Sequence, residues 1–106
     1  MSYRYMRVMV MFDLPVITPA DRKEYTRFRK HLLKNGFLMM QESIYCKLVP
    51  NVTSAEWVIN SLRAAKPEKG LVQVLKLTEK QYSKIEYIVG KNTSDVLESD
   101  QRLVFI

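Results

Sequence analysis

The sequence has very few residues that form covalent or metal cross-links: it contains one cysteine, Cys46, and one histidine, His31. A single cysteine cannot form a disulfide within the chain, and one cysteine with one histidine cannot complete a zinc site of Cys and His ligands from one copy. Cys46 lies in an apolar stretch with no histidine near it in sequence. We therefore expect it to fill the core rather than to act as a nucleophile.

Long hydrophobic runs are absent as well. The longest uninterrupted apolar run covers residues 8–12, far short of the roughly 20 residues that a membrane helix needs. The first residues do not have the pattern of a signal peptide, so we expect a cytoplasmic protein without a membrane segment. At 106 residues the chain has room for one domain, and any activity comes from one core or from an assembly of copies.

Positive charge, in contrast, is in excess. Lysine and arginine together number 17 against 11 aspartates and glutamates, which gives a formal net charge of +6 at pH 7. This balance is expected of a protein that binds polyanions. Charge alone does not distinguish DNA, RNA and anionic lipid, so the distribution of the basic residues has to decide.

The first apolar segment, residues 6–12, is predicted as a β-strand that is apolar on both faces. A strand of this kind is covered on both sides and lies centrally in its sheet, and something besides the chain's own helices can pack on the second face. One face carries Met6, Val8, Val10 and Phe12, and the other carries Met9 and Met11.

A helix and a hairpin are predicted next. Thr18 and Pro19 have the residue types of an N-cap and a first helical turn, and the helical pattern runs to Gly36, where glycine suits the position after the helix. The apolar stretches 37–40 and 44–49 are separated by a short polar segment. They are predicted as two strands joined by a turn.

A second helix is predicted by a capping-box pattern, in which Thr53 is followed three residues later by Glu56. The helical pattern continues to about Ala65 and stops before the turn at 67–70. We expect Trp57 and Leu62 to be among the residues that anchor this helix to the core.

Segment 71–77 is predicted as the next strand, and Thr78 with Gln81 caps a short third helix that reaches Val89. The resulting order is that of the ferredoxin-like βαββαβ fold of the α+β class, a four-stranded antiparallel sheet with two helices on one face. We assign residues 1–90 to this domain. Residues 91–106 are predicted as a polar connector and an additional C-terminal strand that pairs with an edge of its own sheet or of another copy's.

Asp13 follows the first strand directly, at the rim of the predicted sheet. As a turn residue, its side chain would cap the segment 14–16. As a metal ligand, it would bind a hard divalent cation such as Mg²⁺, which prefers carboxylate oxygen together with water and phosphate. One aspartate is a poor site, but a twofold axis could bring two copies of Asp13 together.

The polar side of the first helix carries a row of basic residues. At about 100° per residue, Lys23, Arg27, Lys30 and Lys34 fall within a band of roughly 60°, opposite the predicted buried stripe. Arg22 and Arg29 flank the apolar side, and the row itself contains no acid. We therefore predict phosphate binding through Arg22, Lys23, Arg27, Lys30 and Lys34, with little dependence on base sequence.

Several segments, taken in their order and spacing, resemble one family. They are Phe12-Asp13-Leu14-Pro15, the basic helix through Tyr25, Phe28, Arg29, Lys30 and Leu32, Gly36-Phe37, Ser43-Ile44-Tyr45, Thr78-Glu79-Lys80-Gln81 and the closing Arg102-Leu103-Val104-Phe105. This set is similar to Cas2, the CRISPR-associated endonuclease family of spacer acquisition, in the form found in type II-A systems. The resemblance extends over nearly the whole chain.

The resemblance implies a homodimer whose sheets pack face to face. It also implies a complex in which two dimers of the integrase Cas1 flank one dimer of this protein and hold double-stranded protospacer DNA, with integration dependent on the Cas1 active site. In the family, the aspartate that corresponds to Asp13 is the catalytic residue and the ligand of Mg²⁺ or Mn²⁺, and some members cleave single-stranded RNA or double-stranded DNA. The dimer interface is expected to include Met9, Met11, Leu103, Val104 and Phe105.

Two other interpretations stay open at the level of sequence. One is a free-standing metal-dependent endoribonuclease of the toxin (interferase) type, which shares this fold and size and would depend on Asp13 more than on the basic helix. The other is a non-enzymatic RNA-binding module, which stacks bases on aromatic residues of its central strands and carries a Lys/Arg-Gly-aromatic motif. The segment Ile44-Tyr45-Cys46-Lys47 does not supply that motif.

Overall fold

The computed structural model of the protein describes residues 5–91, and one of its two layers is a four-stranded antiparallel sheet. The four strands are β1 (Met6–Asp13), β2 (Leu38–Gln41), β3 (Ile44–Val49) and β4 (Leu71–Thr78). Their order across the sheet is β2-β3-β1-β4. The first strand therefore lies between β3 and β4, as its two apolar faces predict.

The second layer consists of helices. Those described are α1 (Pro19–Lys34), α2 (Val52–Ala64) and the single turn α3 (Glu79–Tyr82). Buried side chains of α1 and α2 pack on the sheet face that carries Val8 and Val10. The order β1-α1-β2-β3-α2-β4 confirms the predicted ferredoxin-like arrangement. Within residues 5–91, no helix has the length and apolar character to cross a membrane.

The core between the two layers is centred on aromatic contacts. Phe28 and Leu32 of α1 are fully buried, on the stripe that the helical spacing predicts. The Phe12 ring lies edge-on to the Phe28 ring with centroids 5.4 Å apart, and a pair of this kind contributes about 1 kcal/mol beyond its buried area. This contact fixes the carboxyl end of β1 against α1.

The ends of α1 agree with the sequence prediction. The Thr18 hydroxyl accepts a hydrogen bond from the Asp21 backbone N–H at 3.0 Å, and the Asp21 carboxylate accepts one from the Thr18 backbone N–H at 3.2 Å. This reciprocal pair is a capping box, and the backbone hydrogen bond from Thr18 lowers the pKa of the Asp21 carboxyl. After the helix, Gly36 has a φ of 87°, a conformation that glycine adopts without steric cost.

The start of α2 differs from the prediction. The N-cap is Asn51, whose side-chain oxygen accepts a hydrogen bond from the Ser54 backbone N–H at 2.8 Å, so Thr53 is already inside the helix. Trp57 is 70% exposed and does not anchor the helix. The buried stripe passes through Ala55, and two residues correspond to about 200° of helical rotation, which places Trp57 on the opposite side.

The third helix is shorter than predicted. It ends at Tyr82 rather than at Val89, and Ile88 and Val89 are 86% and 90% exposed. Short helices in water depend on packing of an apolar face, which these two residues do not find within residues 5–91. The predicted C-terminal strand with Leu103, Val104 and Phe105 lies outside the described residues, and so does all of the connector except Lys91.

Candidate nucleic-acid interface and metal ligand

Asp13 is the last residue of β1, and its Cα partner in the sheet is Leu71 of β4. Side chains alternate along a strand, so Asp13 lies on the side of the sheet opposite α1 and α2. We call this side the open face. It is formed by Arg7, Met9, Met11 and Asp13 together with their partners on β3 and β4.

The backbone around Asp13 is held by the close approach of Gly70, which has a φ of 92°. A β-carbon at Gly70 would stand 2.7 Å from the carbonyl oxygen of Asp13 and 2.8 Å from Cδ2 of Leu14. The turn before β4 therefore requires glycine both for its conformation and for the space beside β1. This turn and the buried Leu14 fix the strand end from which Asp13 projects.

The Asp13 side chain is exposed, and its carboxylate accepts no hydrogen bond from residues 5–91. It does not cap the segment that follows, which was one of its two predicted roles. That segment is held instead by Arg22, whose Nη1 donates to the carbonyl oxygens of Val16 at 3.2 Å and Ile17 at 2.9 Å. The carboxylate is thus available to a ligand from outside the described part of the chain.

A complete metal site is not formed by one copy of residues 5–91. No group of three or more His, Cys, Asp or Glu side chains in this range is placed to hold a metal ion. Mg²⁺ is commonly held by one or two carboxylates and completes its octahedron with water and phosphate oxygens. A lone carboxylate at the rim of the sheet therefore fits such an ion when a second copy of Asp13 supplies another carboxylate.

Most residues of the open face are apolar. Met9 and Met11, which were predicted at a dimer interface, are half-buried in it. Contiguous exposed apolar surface of this kind marks a protein interface, although the pairing of two copies stays a prediction. The exposed leucines of the open face are Leu38, Leu48, Leu71 and Leu75.

One end of the open face carries an ion pair. Arg7 donates two hydrogen bonds to the Glu79 carboxylate, from Nε at 2.7 Å and from Nη2 at 3.0 Å. Its Cζ lies 4.1 Å from the centroid of the Tyr82 ring. The hydrogen bonds from Arg7 lower the pKa of the Glu79 carboxyl. Arg7 thereby attaches α3 to β1, and we assign this cluster a structural role.

Cys46 is the open-face partner of Met9 on β3, and its side chain is buried. Burial raises the pKa of the Cys46 thiol. A thiolate is the reactive form of cysteine, so a buried thiol with a raised pKa is inert at neutral pH. Cys46 is thus buried, as predicted, but it lies on the open face and is not part of the core cluster between the sheet and the helices.

The predicted basic residues of α1 lie together on the solvent side of the helix. Arg22, Lys23, Arg27 and Lys30 line one shallow, open groove, and Lys34 lies one turn beyond Lys30 on the same side. We call these five residues the basic stripe. Its three lysines are exposed and make no hydrogen bond or ion pair with residues 5–91.

The two arginines of the basic stripe already have partners. Arg27 donates from Nε and Nη2 to the Glu24 carboxylate at 3.0 and 2.8 Å, and Nη2 also donates to the Ala65 carbonyl oxygen at 3.0 Å. The hydrogen bond from Arg27 lowers the pKa of the Glu24 carboxyl. Glu24 therefore places one carboxylate beside the basic stripe, although no member of the stripe is acidic. Because Arg22 also donates to loop carbonyls, the three lysines are the unpaired cations of the basic stripe within residues 5–91.

Sequence reasoning missed a second basic surface. A groove of about 400 Å³ lies between α2 and β4, with an apolar floor that includes Leu62 and Val72. Its basic lining residues are Arg63, Lys66 and Lys69, which are clustered in the sequence around the turn at 67–70. That clustering was the available signal, but only the fold shows that the three residues border one groove.

Comparison with known proteins gives concordant matches. Residues 6–85 match the family model described as CRISPR associated protein Cas2. A protein from Treponema denticola named CRISPR-associated endoribonuclease Cas2 is 52% identical over 101 residues, which cover 95% of this chain and 100% of that protein. Proteins of the same name from Ligilactobacillus salivarius and Streptococcus mutans are 44% and 42% identical over 95% of this chain and over 100% and 93% of their own lengths.

A solved structure described as the crystal structure of cas2 has a similar fold. The TM-score is 0.57 at 21% sequence identity, and the superposition covers 85% of this chain and 92% of the other. At this identity the likeness concerns the fold, and it agrees with the ferredoxin-like arrangement described above.

Proposed function

Because the chain belongs to the Cas2 family of CRISPR-associated proteins, we propose that it is a homodimeric, nucleic-acid-binding subunit of CRISPR adaptation. In this role the dimer holds double-stranded protospacer DNA by its phosphates and bridges dimers of the integrase Cas1, whose active site inserts spacers into the CRISPR array. The observation that best supports the proposal is the placement of the apolar open face and the basic stripe on opposite sides of one sheet.

That placement lets the two surfaces act at the same time. Two copies that pair through their open faces bury the exposed leucines and the half-buried Met9 and Met11. Apolar surface removed from water contributes about 25 cal/mol per Å². The helical layers point away from such an interface, so the basic stripe of each copy stays exposed. Dimerisation and phosphate binding therefore do not compete for the same residues.

The chemistry of the basic stripe favours a duplex backbone over specific bases. Its free groups are lysine ammoniums, which act as point charges toward phosphate oxygens and do not form the bidentate pairs that distinguish bases. Binding of this kind releases counterions and weakens steeply with salt. Such a surface suits a scaffold that has to accept spacers of any sequence.

A second function, phosphodiester cleavage, is favoured by Asp13. In the proposed dimer, Asp13 and its counterpart in the second copy would be the residues that hold a Mg²⁺ ion. A bound Mg²⁺ would supply positive charge beside a phosphate. The relatives from Treponema denticola and Ligilactobacillus salivarius carry the name endoribonuclease, so single-stranded RNA is the first substrate to test, followed by duplex DNA.

The proposed DNA contact is tested by the salt dependence of binding. If about six phosphates are neutralised across the dimer, the slope of log K against log salt for duplex DNA is about −5. Replacement of Lys23, Lys30 and Lys34 by alanine removes three charges per copy and should flatten this slope to less than half. Fluorescence anisotropy of a labelled duplex, at four or more salt concentrations, measures the change.

The matched control replaces Lys80, Lys84 and Lys91, three exposed lysines at and beyond α3, and leaves the basic stripe intact. Net charge changes equally in the two variants, so a nonspecific charge effect predicts equal slopes. An unchanged slope in the stripe variant together with a flattened slope in the control would place the DNA surface elsewhere and overturn the proposed interface.

A further inference from the structure

Arg29 is the arginine of α1 that lies outside the basic stripe. Its Nε donates a hydrogen bond to the Tyr45 hydroxyl at 2.9 Å, and Tyr45 is fully buried. The Nη1 and Nη2 atoms of Arg29 make no hydrogen bond or ion pair within residues 5–91. A buried tyrosine therefore fixes the guanidinium and leaves its outer donors available to a ligand.

Lys47 lies two residues beyond Tyr45 on β3. Its Cα partner on β1 is the fully buried Val8, so its side chain begins on the core side of the sheet. The long stem reaches the turn after α1, where Nζ lies 2.6 Å from the position that a β-carbon on Gly36 would take. The missing side chain of Gly36 thus leaves the space that the Lys47 ammonium occupies. Nζ makes no hydrogen bond or ion pair in the described range of the chain.

Arg29 lies on the side of α1 that faces away from α2. The side toward α2 is marked by Arg27, whose Nη2 donates to the Ala65 carbonyl oxygen at the end of α2. Two residues correspond to about 200° of helical rotation, which places Arg29 opposite Arg27. Tyr45 and Lys47 are about 7 Å apart along β3. The guanidinium held by Tyr45 and the ammonium of Lys47 are therefore within reach of one stretch of phosphate backbone.

These two cations form a second basic row beside α1, separate from the basic stripe. Around the helix axis, Arg29 lies about 100° from Lys30 and about 140° from Lys34. An α-helix with its side chains is about 10–12 Å across, which is close to the width of about 12 Å of the major groove of B-form DNA. Cations on two sides of one such helix can contact phosphates of both strands at the same time.

We propose that Arg29 and Lys47 bind backbone phosphates of one strand of a DNA duplex while the basic stripe holds the other strand. This inference rests on the proposed function, because the basic stripe has to hold the duplex first. It adds to that function two phosphate-binding residues and a contact that requires both strands.

The test uses the full chain and two probes of equal length: a DNA duplex and one of its single strands. If Arg29 and Lys47 each neutralise one phosphate per copy, four further phosphates across the dimer steepen the slope of log K against log salt for the duplex from about −5 to about −9. The double variant Arg29→Gln, Lys47→Gln should return this slope to about −5. The single strand occupies the basic stripe alone, so its affinity should change less than twofold. Fluorescence anisotropy measures both probes.

Two further variants test the contribution of each residue. Tyr45→Phe keeps both charges and removes only the hydroxyl that orients Arg29, so it should weaken duplex binding and leave single-strand binding unchanged. A purely structural role of Tyr45 would weaken both. Lys47→Gln alone breaks no hydrogen bond within residues 5–91 and should give about half of the slope change.

The matched control is the double variant Lys80→Gln, Lys84→Gln, which removes the same charge from exposed lysines at and after α3 and should bind both probes like the unmodified protein. A duplex slope that the Arg29→Gln, Lys47→Gln variant leaves unchanged, or an equal loss of affinity for both probes, would overturn the contact with the second strand. Failure of the unmodified protein to bind the duplex would overturn the proposed DNA-binding function together with it.

Discussion

Gly70 approaches Asp13 so closely that a β-carbon on Gly70 would stand 2.7 Å from the Asp13 carbonyl oxygen. Gly90 has nearly the same backbone conformation, with a φ of 93° against 92°, but has nothing within 4 Å of its β-carbon position. A side chain at Gly90 would meet only the strain of a left-handed backbone. A side chain at Gly70 would meet the same strain and would also collide with the end of β1 that carries Asp13. Comparing substitutions at the two positions therefore separates the two contributions to the free energy of unfolding.

The first prediction compares alanine at these two positions. Gly90→Ala forces a side chain into the left-handed region and should lower the free energy of unfolding by about 1 kcal/mol. Gly70→Ala carries the same cost and also displaces the end of β1, so we expect a loss of about 2–3 kcal/mol. Urea unfolding at a fixed protomer concentration measures both. Equal losses would show that the turn before β4 yields easily and does not position Asp13.

The second prediction concerns the Arg7–Glu79 pair and pH. The pKa of Glu79 is lowered in the folded protein, so the pair stabilises the fold above the ordinary glutamate pKa of about 4.3 and this contribution is lost as pH falls through the lowered value. Glu79→Gln should therefore cost about 1 kcal/mol at pH 7, since the pair is partly exposed. At about pH 3 the difference from the unmodified protein should shrink.

The control for this pair is Glu86→Gln, because Glu86 is exposed and makes no ion pair within residues 5–91. It should leave stability unchanged at both pH values. A Glu79→Gln cost that persists undiminished in acid would mean that the side chain acts through packing rather than through its charge.

The helix boundaries show which ends could be predicted from local sequence signals and which could not. Both ends of α1 were predicted to within one residue. Thr18 followed by Pro19 fits only the start of a helix, and Gly36 fits only the position after its end. At α2, both Asn51 and Thr53 are good capping residues, and only the hydrogen bond from Ser54 to Asn51 selects the first. Trp57 was wrongly predicted as buried for a separate reason: it lies five residues from the buried Leu62, which corresponds to about 140° of helical rotation, so the two residues cannot share one buried stripe.

The features of the candidate site that lie within a single helix or strand could be predicted from the sequence. The position of Asp13 at the end of a central strand and the row of basic residues on α1 both follow from periodicity. The Glu24–Arg27 pair has a spacing of three residues, so a helical reading of the charges could have found it. The Gly70 contact and the groove between α2 and β4 join residues distant in sequence, and these required the fold.

The third prediction is that the open face forms an obligate dimer. Leu75 is 47% exposed on this face, and Val52 is 55% exposed on α2. Leu75→Glu brings charge into an apolar interface and should give a monomer, whereas Val52→Glu adds the same charge on the helical layer and should leave the dimer intact. Light scattering at micromolar concentration measures the mass. A monomeric unmodified protein, or a dimer that Leu75→Glu does not affect, would contradict pairing through this face.

The fourth prediction separates cleavage from scaffolding at Asp13. Asp13→Asn keeps the size of the side chain but removes the charge that attracts a divalent cation, and it breaks no hydrogen bond within residues 5–91, so the variant should fold and dimerise normally. We expect magnesium-dependent cleavage of RNA or DNA to be lost, while the affinity for duplex DNA and spacer integration with Cas1 are retained. Glu86→Gln, which removes a charge far along the chain, should leave all three activities unchanged.

Loss of integration in a folded, dimeric Asp13→Asn protein would show that the carboxylate contributes to the integration complex itself, because the basic stripe and the open face are untouched by this change. If Asp13→Asn still cleaves nucleic acid, the residues responsible for cleavage do not include Asp13 at the end of β1.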